Sequence, residues 1–176
     1  MKQFIFALLV GMSITQSSVA SSNASVDSVI KSSFKNVSEV IPKHLILTST
    51  EFKEVRAKAK ASVDTKVYRY YLIRSKSHTI GKAVLITRKV RAKKATILYA
   101  FDKKGTLRFS EIMAFGEPPE YIPSQTWMNQ LDNQKPSTPL MLGKDIPTIS
   151  GSTLSAQSVV DGARIARAVY AIRLKK

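Results

Sequence analysis

The rhythm of hydrophobic and polar residues changes repeatedly along this chain. Residues 51–62 place Phe52, Val55 and Ala59 on one helical face, behind candidate caps at Thr48, Ser49 and Thr50. From residue 67 the period drops to two. Val67, Arg69, Tyr71 and Ile73 alternate with Tyr68, Tyr70 and Leu72. Residues 80–88 are β-branched and apolar, and residues 95–101 put Ala95, Ile97, Tyr99 and Phe101 on one face. Asp102-Lys103-Lys104-Gly105 supplies a hairpin turn, and residues 107–115 follow as its second strand. Strands at this spacing, four by pattern, predict an antiparallel meander.

The alternation then stops. Gly116-Glu117-Pro118-Pro119-Glu120 cannot extend a strand, because its two prolines remove ladder donors. Residues 125–131 predict a short helix carrying Trp127, Met128 and Leu131, and the proline-rich residues 132–149 predict a loop. Residues 155–173 form the longest helical pattern. Val159, Ala163, Ala166 and Tyr170 share its face, flanked by Val160, Val169 and Ile172. Near the other end, residues 21–40 read as a tail or a short, weak helix over 26–34, and Ile41-Pro42-Lys43 interrupts any helix. The element order predicts an α+β fold: an antiparallel β-meander packed with helices, with a long C-terminal helix. Residues 21–50 are assigned to an N-terminal tail or linker and residues 51–176 to one domain.

The first twenty residues have a different logic. Met1-Lys2-Gln3 is positive, residues 4–14 are apolar but too short to span a bilayer, and Ser18-Val19-Ala20 offers small residues for cleavage. This predicts a signal peptide over residues 1–20, a mature start near Ser21, and a periplasmic or secreted protein, free or at the membrane surface. The chain has no cysteine, which excludes disulfides, thiolate metal sites, c-type haem attachment and a lipoprotein cysteine. Its 28 Lys and Arg outnumber 12 Asp and Glu, for a net charge of +16. That charge favours anionic partners: phosphate groups, anionic lipid or an acidic protein. Export argues against nucleic acid. The cations are spread over residues 53–60, 88–94 and 164–176, so a solvated basic surface accounts for them equally well.

The richest chemistry lies where the irregular segment meets the last helix: Ser150-Gly151-Ser152-Thr153-Leu154-Ser155. A helix start presents unpaired N–H groups and a partial positive charge, and both stabilise an anion. Gly151 lets backbone approach closely, and Ser150, Ser152, Thr153 and Ser155 add hydroxyls. The same residues also serve as ordinary helix caps. His44 and His78 have no metal-ligand spacing. No serine–histidine–acid set stands out, unless folding brings His78 to these hydroxyls.

Residues 145–155, Asp145-Ile146-Pro147-Thr148-Ile149-Ser150-Gly151-Ser152-Thr153-Leu154-Ser155, resemble the S-G-A-T-x-[ST] segment of the FMN-binding domain family. That family includes the C subunit of the sodium-pumping NADH:quinone reductase, the G subunit of the Rnf electron-transport complex, and short exported single-domain proteins. The resemblance extends over about residues 80–173. It takes in Ile80-Gly81-Lys82-Ala83, the Asp102 to Gly105 turn, the Glu117 loop, the segment from Trp127 to Leu131, and Val159-Val160-Asp161-Gly162-Ala163. The chain departs from the family pattern at Ser152, where alanine is usual, and at Pro147, where the motif has aspartate; Asp145 stands two residues earlier. Its glutamate loop holds prolines where the family has glycines.

The resemblance implies FMN as cofactor, joined through its phosphate to Thr153 by a flavin transferase that consumes FAD. Ser150, Gly151, Ser152, Leu154, Ser155 and Glu117 are the other implied cofactor-binding residues. It also implies an electron carrier rather than a stand-alone catalyst, serving a membrane quinone-linked oxidoreductase or a periplasmic cytochrome. Trp127, Phe115 and Tyr121 are candidates for stacking on the flavin ring, with core packing as their commoner role. Lys82, Arg88 and Lys94 are candidates for offsetting phosphate charge. The alternatives are a flavin-free periplasmic binding or interaction module whose basic surface meets anionic partners, and a hydrolase built on the serine and threonine hydroxyls.

Overall fold

In the computed structural model, which describes residues 25–175, the alternating stretch becomes a five-stranded antiparallel sheet. Strands β1 (Glu39–Ile46), β2 (Val67–Ser75), β3 (His78–Lys89), β4 (Lys94–Asp102) and β5 (Leu107–Phe115) pair in chain order. The chain is α+β, as the pattern predicts. The expected signal peptide at residues 1–20 lies outside the described residues. On β4, Ile97, Tyr99 and Phe101 enter one core cluster, while Leu98 and Ala100 enter a second on the opposite face. Asp102 closes the β4–β5 turn, its carboxylate accepting the N–H groups of Lys104 at 2.9 Å and Thr106 at 3.0 Å.

The larger core lies between the sheet and helices α2 (Ser49–Ala59), α3 (Gln125–Met128) and α4 (Thr153–Val169). Helix α2 begins with a reciprocal cap: Thr48 accepts the Glu51 N–H at 3.2 Å, and the Glu51 carboxylate accepts the Thr48 N–H at 2.8 Å. Its Val55 and Ala59 are buried. Val159, Ala163 and Ala166 bury the expected face of α4, which runs on into a π-helical turn at Tyr170–Leu174. Tyr99 reaches up from β4, and its hydroxyl donates to the Val159 carbonyl at 2.7 Å. Gly162 permits this close approach, since a Cβ there would overlap the tyrosine ring and hydroxyl.

Helix α1 (Val26–Ser33) covers the other face, with Ile30 fully buried and Phe34 edge-on to Phe109 at 5.8 Å between centroids. Residues 21–50, expected as a tail or linker, therefore supply structure from Val26 onward. The overlooked strand is β1. Pro42 pairs opposite Tyr71 there, which works because β1 lies at the edge of the sheet and needs ladder bonds on one side only. Among the described residues, no helix is long and apolar enough to cross a membrane.

Candidate functional site

The start of α4 is set by the loop before it. The indole Nε1 of buried Trp127 donates to the Pro147 carbonyl at 2.8 Å, fixing the loop against the core. The Ser152 N–H then bonds back to the Ile149 carbonyl at 3.3 Å, with Gly151 in the left-handed region at φ +79°. Space is open where a Gly151 side chain would project. Ser152 is the N-cap residue, yet its hydroxyl makes no capping bond. It turns instead to the Glu120 carbonyl at 3.4 Å. The Thr153 hydroxyl donates to the Ile149 carbonyl at 3.1 Å and remains exposed.

The first backbone bond of the helix is from Ala156 N–H to the Ser152 carbonyl, at 3.0 Å. Among the described residues, no acceptor meets the N–H groups of Thr153, Leu154 and Ser155. These are the helix-start donors that an anion satisfies. They line a shallow pocket of about 180 Å³ together with Arg91 and Tyr121. The Arg91 guanidinium lies over the Tyr121 ring, 4.9 Å from its centroid. Ser150 is exposed one residue before the lining, and Ser155 is buried at the pocket floor. Most of the sequence-predicted motif is therefore gathered in one place, and a cation from another part of the chain joins it.

Glu117 belongs to this site indirectly. Its carboxylate accepts the N–H groups of Arg91 at 2.9 Å and of Ala92 and Lys93 at 2.7 Å each. One oxygen thus holds the β3–β4 turn that carries Arg91. The Lys93 N–H is the largest influence holding the Glu117 pKa below the ordinary carboxylate value. Desolvation opposes it, and the Arg91 and Ala92 N–H groups and the Arg91 charge add to it. The folded-state value lies below the unfolded one, so this stabilisation is complete above the ordinary carboxylate range. It is lost as pH falls through the lowered value. Glu117→Gln is expected to speed amide hydrogen exchange at Arg91, Ala92 and Lys93 by roughly tenfold at neutral pH, because a neutral amide oxygen accepts more weakly. Unchanged exchange at those three amides would show that the turn does not need the carboxylate.

The other expected residues disperse. Trp127 is committed to the core and its loop clamp. Phe115 lines a different groove with Ile122 and Met128, which leaves Tyr121 as the aromatic residue beside the helix start. Asp145 accepts the Met141 N–H at 2.8 Å, within its own turn. Lys82 caps the far end of the last helix at the Leu174 carbonyl. Arg88 reaches Asp161 at 3.4 Å and the Ser62 carbonyl at 2.5 Å. Lys94 lines a separate cavity beside β2 and β3. His78 begins β3, whereas Lys89 ends it beside Ser158 of α4. That strand separates the histidine from the hydroxyls by roughly 30 Å, so no nucleophile–base pair forms there. Arg91 was missed because it sits in a run of cations with nothing local to distinguish it. Its only sequence signal is a position between two predicted strands.

No protein-family model matches the chain, and no curated protein matches it.

Proposed function

We propose that this is an exported FMN-binding protein that carries electrons, with the flavin phosphate seated at the start of α4. The observation that carries this reading is the convergence of exposed Thr153, the unpaired N–H groups of residues 153–155 and the Arg91 guanidinium on one pocket. The donor set fits a phosphate: backbone N–H groups, a hydroxyl and a guanidinium cation. The pocket is smaller than sites that enclose a whole cofactor. The pocket has room for the phosphate end alone, and Tyr121 and exposed Leu154 are the side chains that would border the ring. Bound FMN would supply the redox chemistry. The chain would anchor the phosphate, hold Arg91 against it through Glu117, and orient the ring.

If the flavin is held covalently, Thr153 Oγ1 would be the attachment point: a flavin transferase would join it to the flavin phosphate of FAD, with the pyrophosphate bond broken, AMP as leaving group and the hydroxyl proton lost to solvent. Partners on this reading are that transferase and an acidic redox protein, either a membrane quinone-linked oxidoreductase or a periplasmic cytochrome, steered by the basic surface. A second reading is favoured by the burial of Trp127 and the small pocket: a flavin-free module that binds an anionic partner at the same helix start.

Expression in an exporting host together with a flavin transferase separates the two. A fluorescent band on a denaturing gel that vanishes in Thr153→Ala is the expected result. Yellow native protein with a dark gel band means non-covalent flavin. Native protein that stays colourless after FMN is added overturns the carrier reading.

A further inference from the structure

Helix α1 covers only part of the sheet face it packs on. Ile30 and Phe34 belong to one cluster with Tyr71, Ile73, Ala83 and Leu98. By strand alternation the same face continues, toward the other end of the sheet, through His44 and Ile46 of β1, Val67 and Arg69 of β2, and Thr87 and Lys89 of β3. All six are exposed. Ile46 and Val67 stand directly opposite each other in the β1–β2 ladder and are 69% and 55% exposed. A single exposed apolar residue needs no explanation, but this is an adjacent pair.

Cations surround it. A hollow of about 640 Å³ opens at this end of the sheet, and the charged residues lining it are Asp64, Arg69, Arg88, Lys89 and Lys94. Arg88 is engaged by the Asp161 carboxylate at 3.4 Å. Among the described residues, no carboxylate pairs with Arg69, Lys89 or Lys94. Those three cations are set against Asp64 alone. Thr87 and Thr96 also line the hollow, but their hydroxyls are bonded to each other at 2.8 Å. The face therefore offers positive charge on long stems and few directed hydrogen bonds.

We propose that this end of the sheet docks on an anionic phospholipid surface. Arg69, Lys89 and Lys94 meet the headgroup phosphates, while Ile46 and Val67 enter the boundary between headgroups and acyl chains. Long cationic stems beside exposed apolar side chains suit that boundary, because the charges stay in the headgroup layer and the methyl groups go below it. Non-directional charge also suits a fluid array of headgroups. An acidic polypeptide would answer the cations through charge alone, so the Ile46–Val67 pair favours lipid. The docking face holds whether or not the chain carries flavin.

The test is co-sedimentation of the processed protein with vesicles of equal parts phosphatidylcholine and phosphatidylglycerol, with pure phosphatidylcholine and soluble polyglutamate as comparisons. Binding to the mixed vesicles is expected, with little to the neutral ones. Ile46→Thr combined with Val67→Thr keeps the net charge and the β-branched shape, and is expected to weaken vesicle binding about tenfold. Arg69→Gln combined with Lys89→Gln is expected to weaken it about tenfold or more. Lys53→Gln combined with Lys58→Gln removes the same charge from α2, on the other side of the sheet, and is expected to change it less than about twofold. All six positions are exposed, so far-ultraviolet circular dichroism is expected to stay unchanged. Equal weakening by the α2 pair would mean general charge attraction and overturn the proposal, as would unchanged binding in the threonine pair. Binding to polyglutamate with none to the mixed vesicles would assign the face to an acidic polypeptide instead.

Discussion

Gly162→Ala is expected to destabilise the protein by about 3 kcal/mol, measured by urea denaturation at neutral pH. Alanine favours a helix by about 1 kcal/mol over glycine at an exposed position, so the sign here is opposite to propensity. The cause is Tyr99. A Cβ on residue 162 would lie 3.1 Å from the tyrosine Cζ and 3.2 Å from Cε2, and closer still to the hydroxyl. Tyr99 is fully buried between the sheet and α4, so it cannot swing away. The helix must lift instead, and the bond from Tyr99 to the Val159 carbonyl goes with it. Tyr99→Phe provides the control. It removes the worst overlap, so the double variant is expected to be more stable than the sum of the single losses predicts, by about 1 kcal/mol. Strict additivity would mean that the two residues do not press on each other.

Asp161 beside it produces the second large effect, for a different reason. One carboxylate oxygen accepts from Arg164 Nη2 at 2.6 Å and from Gln157 Nε2 at 2.8 Å; the other faces Arg88 Nη2 at 3.4 Å. All three charged side chains are largely buried, at 13–16% exposure. Both arginines already leave Nε without a partner. Removing the carboxylate strands two like charges in a poorly solvated space, which costs about 3–5 kcal/mol for a pair broken from one side. Asp161→Asn should lose most of this although its shape is nearly unchanged. Asp161→Ala should lose only slightly more. A loss in Asp161→Asn below about 1 kcal/mol would show that the arginines find water when their partner goes. Thermal or urea unfolding of the two variants side by side gives the comparison.

These two sites show which parts of the fold local sequence could reveal. β2 to β5 are legible because apolar side chains alternate along them and the Asp102 turn carries its own hydrogen-bond acceptor. The long helix is legible from its period. β1 is not, because an edge strand buries little: only Leu45 is buried along it, and Pro42 imitates a chain breaker. The α4 start was readable as an anion-friendly turn, since glycine and hydroxyl residues act locally. Arg91 was not readable, because the carboxylate that positions it lies 26 residues away.

In the first half of α4, Ser158 faces the Lys89 carbonyl and Asp161 faces Arg88; at the far end, Lys82 caps Leu174 and the Tyr170 hydroxyl donates to the Asp102 carbonyl at 2.8 Å. A helix fastened in its first half and at its end is a strut, not a lever. It cannot tilt to open or close around an anion, and the turn bearing Arg91 is fastened to the same framework through Glu117. A ligand at the helix start would therefore register as quieter backbone fluctuations, with little change of shape. On the proposed electron-carrier reading such stiffness would be an advantage, because a seat that hardly rearranges adds little to the barrier for moving charge.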